Sequence, residues 1–500
     1  MEMTDSPRQQ FLAWLEDQSF FDPGVISDEA ALMRQAEEKV LTLFQQAAAN
    51  VPAYTDFLRK SRINPAGIRT MDDFRQLPLT DNKNYLDAYD LASRSWHGKL
   101  SLSHFIAVSS GTTGQPHLWP RTLQTDLQGA RQHEFFLQEF FEVNQRQTLV
   151  IDGFYLGNTV AGTFTLACLQ LLKLKGLPLT ITTPSWSDKD ILTFIRALHR
   201  EFDQIIIFGY PPLLKEVVHQ VCQHQDVIDV TKLRLVCAGQ AFTENWRDYL
   251  LKQLGGMANK PPIMSVYGSS DAGLMGFETL LSIQIRRFLA NHHDIAQNLF
   301  GDARLPSLYV YDPRTIYFES PAGDLCFTIN NGAPLIRYNI KDRGGVIPHQ
   351  QMIRLMRQHC PDSQDWVSNN SGNFPFVYIF GRDKFMAKVY GLPIYSEYVQ
   401  QAINHASLAP YVTGNFVLEN VEDEDHNILL VCRVELEQGI KAESELQKVM
   451  SEIFIQEFIL LAPLYKNILE VMGEKAKPHI ILYDYQDPQY FGQDGSKKFA

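Results

Sequence analysis

The chain contains no apolar run long enough to cross a bilayer as a helix, which takes about 20 predominantly apolar residues. Its longest apolar stretch, Val160–Leu172, includes Thr and Gln and predicts a buried helix instead. The first ten residues, MEMTDSPRQQ, are polar, with no apolar segment behind a basic one, so no signal peptide is predicted. We therefore expect a cytoplasmic protein without a membrane partner.

Cysteine is scarce, and metal-binding spacings are lacking. The six cysteines follow no Cys-x-x-Cys pattern and lie at Cys168, Cys222, Cys237, Cys326, Cys360 and Cys432. This scatter gives neither a disulfide framework nor a zinc signature and fits a reducing cytosol. His292-His293-Asp294 could hold a metal, but adjacent His side chains diverge on a helix. We favour a solvated helix face there over a metal site.

Positive charge is not in excess either. Lys and Arg number 45 against 57 Asp and Glu, which gives a net charge of −12. A nucleic-acid-binding protein normally carries a basic patch, so we expect no nucleic-acid partner. The negative total does not exclude a negatively charged small substrate, because a few local cations can outweigh it.

The length of 500 residues exceeds what one hydrophobic core usually organises, so two or more domains are expected. Apolar residues recur at helical spacing over residues 29–60 and break at Val51-Pro52, which predicts two helices within a helical segment over residues 1–100. From residue 101, β-rich runs alternate with helix-length segments: FIAVSS, TLVIDGF, QIIIFGY, LRLVCAG and IMSVYGSS. This alternation predicts a parallel, layered α/β domain.

Two further regions complete the predicted fold. Residues 302–348 contain five short β-rich runs joined by Pro, Gly and Asp turns, which predicts an antiparallel β-rich subdomain. After Phe376–Gly381 a smaller unit follows, with a strand pair near Phe416–Glu437, a helix near Glu443–Leu461 and a last strand at His479–Tyr483. The predicted fold class is therefore α/β: a large layered domain over residues 1–380 with its β-rich subdomain, and a small mobile α+β domain over residues 381–500.

A loop rich in Ser, Thr and Gly follows the first β-like run, over Val108–Pro116. Its glycines allow backbone N–H groups to converge, and its hydroxyls add donors, so the loop can wrap phosphate oxygens. It is not a Walker A loop, because the Gly-Lys-Ser/Thr ending is absent. Alone, such a sequence is more often an ordinary turn, and its interpretation depends on the segments that accompany it.

Four more segments follow in order: Ala238–Ala241, Tyr267–Asp271, Arg337–Asp342, and Gly381–Lys384 with Lys388 and Gly391 behind it. With the hydroxyl loop they resemble the ordered motifs of the adenylate-forming superfamily, which includes acyl-CoA synthetases, peptide-synthetase adenylation domains and luciferases. One match would be weak, but five in order over almost 300 residues are specific.

The resemblance implies a role for each segment. The phosphate contacts fall to the hydroxyls of Ser109, Ser110, Thr112, Thr113 and Ser270, and the adenine contacts to Gly239, Gln240, Ala241 and Tyr267. Asp271 is assigned to Mg²⁺, Asp342 to the ribose with support from Arg382, and Lys384 to the hinge. Gly111, Gly114, Gly268 and Ser269 complete the set assigned to ATP and AMP binding. Three positions depart from the usual pattern: Gln115 replaces Lys, Asp271 replaces Glu, and Lys384 replaces Asp. Together they indicate a divergent member.

The N-terminal third narrows the resemblance to the phenylacetate–CoA ligase branch. The segments that carry it are Asn50–Tyr54, Asp72–Phe74, Leu77-Pro78, Asp81–Lys83, Asp152–Gly157 and Gly209–Pro211. That branch favours aromatic or otherwise compact acids and also has members with other acceptors. Aromatic candidates for the acid pocket are Phe154, Tyr155, Trp186, Tyr210 and Phe242, although each alone is more often a core residue.

The superfamily has a lysine for adenylation close to its C-terminus. Here Gly495-Ser496-Lys497-Lys498 resembles that site, with Lys497 the first choice and Lys498 the second. A solvated basic tail is the alternative interpretation. A compact ammonium on a long stem suits the role. The hinge would then turn the small domain so that another face presents the acceptor.

We therefore predict an ATP- and Mg²⁺-dependent ligase that converts a carboxylic acid to an acyl- or aryl-AMP, releases pyrophosphate, and transfers the acyl group to CoA. A carrier protein acting in trans, or an amine or hydroxyl, is an alternative acceptor. A nucleotide-binding homologue without catalysis is the alternative from another class. Homodimerisation stays open.

Overall fold

The protein is described by a computed structural model over residues 6–17, 21–109, 117–185, 187–223, 228–239, 241–256, 262–302, 305–360, 363, 366, 372–381, 386–403, 405, 407–408 and 410–491. The helices are α1 (Pro7–Glu16), α2 (Pro23–Ile26), α3 (Glu29–Asn50), α4 (Pro52–Lys60), α5 (Met71–Arg75), α6 (Leu91–Arg94), α7 (Leu123–Phe141), α8 (Val160–Lys175), α9 (Asp188–Leu198), α10 (Pro211–Cys222), α11 (Glu244–Gln253), α12 (Leu280–Ala290), α13 (His293–Phe300), α14 (His349–His359), α15 (Ser396–Ile403), α16 (Ser444–Leu461) and α17 (Leu464–Met472). Within these ranges, no helix is long and apolar enough to span a membrane.

The strands are β1 (Phe105–Val108), β2 (Leu118–Arg121), β3 (Thr148–Asp152), β4 (Leu179–Thr182), β5 (Gln204–Gly209), β6 (Leu233–Cys237), β7 (Ile263–Ser269), β8 (Gly273–Phe277), β9 (Ser307–Val310), β10 (Ile316–Glu319), β11 (Asp324–Ile329), β12 (Leu335–Ile347), β13 (Phe376–Gly381), β14 (Met386–Val389), β15 (Leu392–Tyr395), β16 (Val412–Glu422), β17 (Ile428–Leu436) and β18 (His479–Tyr483).

One sheet of eleven described strands organises most of the chain, in the order β10-β11-β12-β13-β9-β8-β7-β6-β5-β3-β4. Its β4, β3, β5, β6 and β7 strands are parallel, and the antiparallel pair β7–β8 joins them to an antiparallel half. Along β5, Ile205 and Ile207 pack into one core cluster while Ile206 packs into another. Alternate side chains therefore bury against helices on both faces, which confirms the predicted layered α/β class.

Two strands differ from the sequence prediction. The run that becomes β1 was expected among the parallel strands, but it pairs antiparallel with β2 in a separate two-stranded sheet. Its Ile106 is 41% exposed, whereas the central parallel strands are buried on both faces. The runs PLIRYNI and GGVIP, predicted as two strands, form the single strand β12, because the polar residues between them stay in the ladder.

The helical N-terminal segment is fastened to β12. Thr80 forms a parallel bridge with Tyr338: its N–H donates to the Arg337 carbonyl at 3.1 Å, and its carbonyl accepts from Asn339 N–H at 2.8 Å. The buried Arg337 guanidinium donates to the Leu77 carbonyl and pairs with Glu319 at 3.0 Å. These bonds position the residues that follow Thr80 beside the strand that carries Asp342.

The chain after β13 has its own core. Strands β16, β17 and β18 form a sheet, β14 and β15 form a hairpin, and buried side chains from Ala387 to Ile480 make a cluster distinct from those of the large sheet. This separation supports the proposed division after residue 380, close to Gly381 at the end of β13.

The C-terminal unit contacts α10 and α11. The Lys215 ammonium donates to Asn427 Oδ1 at 2.7 Å, Thr243 Oγ1 donates to Glu422 at 3.0 Å, and the Tyr249 and His426 rings lie 4.8 Å apart. The turn between β16 and β17 therefore docks on two helices that follow parallel strands, and this contact sets where the hairpin β14–β15 lies.

Candidate active site

The ends of several strands converge on a cleft of about 1290 Å³. Its lining includes most of the described residues that the sequence assigns to nucleotide binding: Ser109, Gly239, Ala241, Tyr267, Gly268, Ser269, Ser270, Asp271 and Asp342. Ligands in open α/β sheets bind at the carboxyl ends of the strands, and β6 and β7 end here. The fold thus brings together segments that are more than 200 residues apart in sequence.

Asp342 is held by an aromatic side chain on another strand. The Tyr267 hydroxyl donates to Asp342 Oδ2 at 2.7 Å, and the Tyr267 ring stacks on Tyr309 with centroids 5.9 Å apart. Lys341 precedes it with a φ of 66°, a left-handed conformation, and its N–H donates to Asn339 Oδ1 at 2.8 Å. This local turn inside β12 orients the carboxylate along the cleft wall.

Asp271 lies in a second polar group, on the turn between β7 and β8. The Tyr338 hydroxyl is 3.0 Å from Asp271 Oδ1 and also within hydrogen-bond distance of Asn82 Oδ1. Since a hydroxyl carries one proton, it donates to one oxygen at a time. The Asp271 carbonyl accepts from Asn331 Nδ2 at 3.0 Å, which fixes the turn. Carboxylate, amide and hydroxyl oxygens thus meet at one point of the cleft.

Sequence reasoning gave Asn82 and Tyr338 no site role, although both lie inside segments used for the family resemblance. The signal that could have found them is their position within those motifs. Their meeting depends on the Thr80 bridge to β12, a contact between residues far apart in sequence.

The base of the hydroxyl loop is closed by Ser109. Its N–H donates to the His117 carbonyl at 2.9 Å, and its Oγ accepts from the His117 N–H at 3.0 Å. His117 and Trp119 also line the cleft. The described ends of the hairpin β1–β2, Ser109 and His117, therefore lie at the cleft.

Tyr210 is wedged between two glycines, one from each unit of the chain. A Cβ on Gly239 would lie 2.4 Å from its Cε1, and a Cβ on Gly391 would lie 2.2 Å from the same atom. Both glycines have positive φ, 80° and 81°, which other residues rarely adopt. Lys388, Gly391 and Pro393 line the cleft, so the hairpin β14–β15 forms one of its walls.

A second cavity of about 700 Å³ opens beside the cleft. The two share Gly239, Val266, Gly268, Ser269 and Ser270 as lining. Its lining combines aliphatic residues with four aromatic side chains, Phe154, Phe164, Phe208 and Tyr210. A compact apolar group could lie here with a polar end in the cleft.

Two predicted acid-pocket residues thus line this cavity, Phe154 and Tyr210, and two lie elsewhere. Tyr155 packs against the core of the C-terminal unit. Phe242 packs on Trp246, with ring centroids 4.6 Å apart, and its carbonyl accepts from the buried Arg286 at 2.9 Å. The aromatic character that suggested Phe242 for the pocket serves packing under α11.

Several predicted residues lie outside the described ranges: Ser110, Gly111, Thr112, Thr113, Gly114, Gln115, Trp186, Gln240, Arg382, Lys384, Lys497 and Lys498. Their assignments stay predictions. In the part of the chain that the structure describes, no group of three His, Cys, Asp or Glu side chains could hold a metal. His292 stacks on Phe288 at 4.0 Å, and its Nδ1 lies 2.7 Å from the Phe288 carbonyl.

The fold is similar to that of 2-hydroxyisobutyryl-CoA ligase. A structure of that enzyme with 2-hydroxyisobutyryl-AMP and CoA in the thioesterification state has a TM-score of 0.57 and 15% identity, over 90% of this chain and 89% of the other. A post-adenylation structure of the same enzyme has a TM-score of 0.53 and 13% identity, over 92% of this chain and 87% of the other. An open structure has a TM-score of 0.51 and 13% identity, over 89% of this chain and 87% of the other. The chain therefore has the two-domain fold of adenylate-forming enzymes. No protein-family model and no curated protein matches its sequence.

Proposed function

We propose that this chain, which has the fold of adenylate-forming enzymes, is an ATP-dependent ligase that activates a carboxylic acid as its AMP ester and passes the acyl group to CoA. One observation carries the proposal: residues from four ordered motifs line one cleft, and that cleft shares Gly268, Ser269 and Ser270 with an apolar cavity beside it. An acid in the cavity would present its carboxylate to a nucleotide in the cleft.

The polar groups of the cleft fit ATP. Asp342, oriented by Tyr267, has two acceptor oxygens for the ribose hydroxyls. The Tyr267 ring and the Gly239 turn would flank the adenine, and the hydroxyl loop would take the phosphates. The carboxylate oxygen attacks the α-phosphorus, its bond to phosphorus forms, and the bond to the pyrophosphate oxygen breaks.

The Asp271 group fits Mg²⁺. This ion prefers oxygen donors and is usually bound by one or two carboxylates together with substrate phosphates. Asp271 Oδ1 and Asn82 Oδ1 converge on the Tyr338 hydroxyl and supply such oxygens. When bound, the ion would neutralise charge on the phosphates. The Tyr338 hydroxyl donates to one of these two oxygens at a time.

The hairpin β14–β15 supports the second half reaction. Lys388, Gly391 and Pro393 line the cleft, so the C-terminal unit presents this face to the nucleotide in the arrangement described here. The thiol sulfur would attack the acyl carbonyl, the carbon–oxygen bond to AMP would break, and the thiol proton would leave to solvent. The related ligase binds an acyl-AMP and CoA on the same fold, which supports CoA as the acceptor.

A carboxylic-acid panel tests the proposal. Purified protein is incubated with ATP, Mg²⁺ and each acid, with and without CoA. Pyrophosphate release is measured, and the products are identified by mass spectrometry. We expect acid-dependent pyrophosphate release and an acyl-CoA product. Asp342→Asn should raise the KM for ATP at least tenfold, since it removes one charged oxygen from the ribose contact.

The other acceptors and the inactive homologue are outcomes of the same panel. Adenylation without thioester formation, followed by acylation of an amine, a hydroxyl or a holo-carrier, would replace CoA as the acceptor. Absence of acid-dependent AMP formation across the whole panel would contradict the ligase and leave a nucleotide-binding homologue.

A further inference from the structure

A histidine lies among the aromatic walls of the inner cavity. His133, on α7, lines the cavity but not the nucleotide cleft. Its ring is stacked on Phe208 at 6.1 Å, tilted against Phe136 at 5.2 Å, and edge-on to Phe164 at 6.2 Å. It is only 4% exposed. An apolar residue would suit this packing equally well, so the imidazole needs another explanation.

The hydrogen bond of His133 fixes its tautomer. Nδ1 lies 2.8 Å from the Gly129 carbonyl, and a carbonyl can only accept, so Nδ1 carries the proton. Burial lowers the pKa of His133 to about 4, so the ring is neutral near pH 7. In a neutral ring with a protonated Nδ1, Nε2 holds a lone pair and no proton. His133 therefore offers the cavity one acceptor.

A hydroxyl lines the same cavity. Thr165, on α8, lines the cavity and is 5% exposed. In the described chain, neither Thr165 Oγ1 nor His133 Nε2 has a hydrogen-bond partner, and neither atom is sealed from the cavity. Buried polar atoms are normally paired, and an unmade bond costs about 1–3 kcal/mol. These two atoms lie in a mostly apolar cavity and are available to pair with a polar group of a ligand.

We propose that the acid substrate is a compact aryl or cyclic carboxylic acid that carries a hydroxyl, and that this hydroxyl donates to His133 Nε2 and accepts from Thr165. The inference rests on the proposed function and adds the substrate class. The carboxylate lies at the shared mouth near Ser269 and Ser270, and the hydroxyl lies at the inner wall. Phe154, Phe164 and Phe208 enclose the ring between them.

The pairing has a measurable consequence. A substrate hydroxyl satisfies Nε2, whereas a hydrogen in its place leaves the nitrogen buried and unpaired. The penalty of about 1–3 kcal/mol for an unmade bond corresponds to a preference of roughly 5- to 150-fold in kcat/KM. This preference separates acids of the same shape that differ in one oxygen.

Matched acids measure it directly. Benzoate is compared with its 3- and 4-hydroxy derivatives, phenylacetate with its hydroxy derivatives, and cyclohexanecarboxylate with its hydroxy derivatives, by pyrophosphate release. We expect one hydroxylated member to be preferred at least about fivefold over its parent. His133→Phe should bring this ratio to about one by losing activity on the hydroxylated acid alone. His133→Gln, which keeps an acceptor oxygen, should restore part of it.

The matched control is Phe136→Leu. Phe136 contacts the His133 ring but does not line the cavity, so its replacement should lower activity on both acids without changing their ratio. A ratio unchanged in His133→Phe, or a wild-type preference for the unsubstituted acids, would overturn the inference.

Binding separates this inference from the proposed function. Isothermal titration of the preferred hydroxylated acid without ATP should show binding that His133→Phe weakens by the same factor. Binding that depends on His133 without any pyrophosphate release would uphold the substrate class and reject the ligase. Pyrophosphate release with no dependence on His133 would uphold the ligase and reject the substrate class.

Discussion

At the scale of single residues, Asp152 has the least usual surroundings. It ends β3 and is fully buried; Oδ1 accepts from Phe154 N–H at 3.1 Å, and Oδ2 has no partner in the described residues. Burial raises the pKa of this carboxyl to about 8, far above its usual range. Near pH 7 the side chain is therefore mostly protonated, and it lies at the end of the strand that leads to Phe154.

The raised pKa makes stability depend on pH. Between about pH 4 and 8 the unfolded chain binds fewer protons at Asp152 than the folded one, so the free energy of unfolding falls as pH rises. Asp152→Asn keeps the shape without the charge and should remove this part of the pH dependence. Urea denaturation at pH 5, 6, 7 and 8 measures it. The control is Asp72→Asn, at a side chain that is 93% exposed. If the free energy of unfolding of Asp152→Asn and of the wild type changed with pH in parallel, the prediction would be contradicted.

At the scale of elements, β12 carries both the N-terminal anchor and a site carboxylate. The guanidinium of Arg337 pairs with Glu319 and donates to the carbonyls of Arg75 and Leu77. It holds a φ of 47° at a position 5% exposed. The side chain thus ties the segment before Thr80 to the antiparallel half of the sheet.

Removing this tie should be costly. Arg337→Ala leaves the Glu319 carboxylate buried without its partner, and breaking a buried ion pair typically costs about 3–5 kcal/mol. Chemical denaturation should show a loss of that order, and a double variant with Glu319→Gln should lose less than Arg337→Ala alone. Arg59→Ala, at a side chain 75% exposed, should change stability little. An equal loss in the free energy of unfolding in Arg337→Ala and Arg59→Ala would refute a stabilising role for the Arg337 contacts.

The same strand illustrates how far sequence reasoning reaches. Local patterns predicted the break between α3 and α4 and the last strand at His479–Tyr483, because propensity and capping act over a few residues. The polar residues Lys341 and Asp342 suggested a gap between two strands, but β12 runs through them, and its pairing resumes at Arg343. Lys341 pairs with Asp81 at 3.2 Å, and Asp342 lines the cleft. Motif order predicted residues that meet at the cleft. His133 and Asn82 owe their positions to tertiary contacts, which no local pattern encodes.

At the scale of the whole molecule, the docked hairpin and the C-terminal tail serve different half reactions in the proposed function. Gly391→Ala would place a methyl group against Tyr210 and strain a φ of 81°, so the hairpin would leave the cleft. We expect thioester formation to fall at least tenfold while pyrophosphate exchange stays within about twofold, as one contact of a few kcal/mol is lost.

Lys497→Ala is the complementary variant and should give the reverse pattern: little pyrophosphate exchange, but normal transfer from an acyl-AMP added directly. Isotope exchange and transfer assays on both variants measure the two halves separately. Equal losses in both half reactions for either variant would refute the division. An unchanged adenylation rate in Lys497→Ala would move the role to Lys498 or end the tail assignment.

Tyr210 belongs to the inner cavity, touches the Gly239 turn and packs against the C-terminal core. In the proposed function, this one ring would take part in two equilibria, acid binding and domain docking. Coupling between two equilibria is reciprocal in free energy. An acid that favours the ring position seen here stabilises the docked state, and docking tightens the binding of that acid by the same free energy. An acid that displaces the ring weakens docking, and docking weakens the binding of that acid. Selectivity for the acid thus extends beyond the residues that touch it, to the population of the docked state.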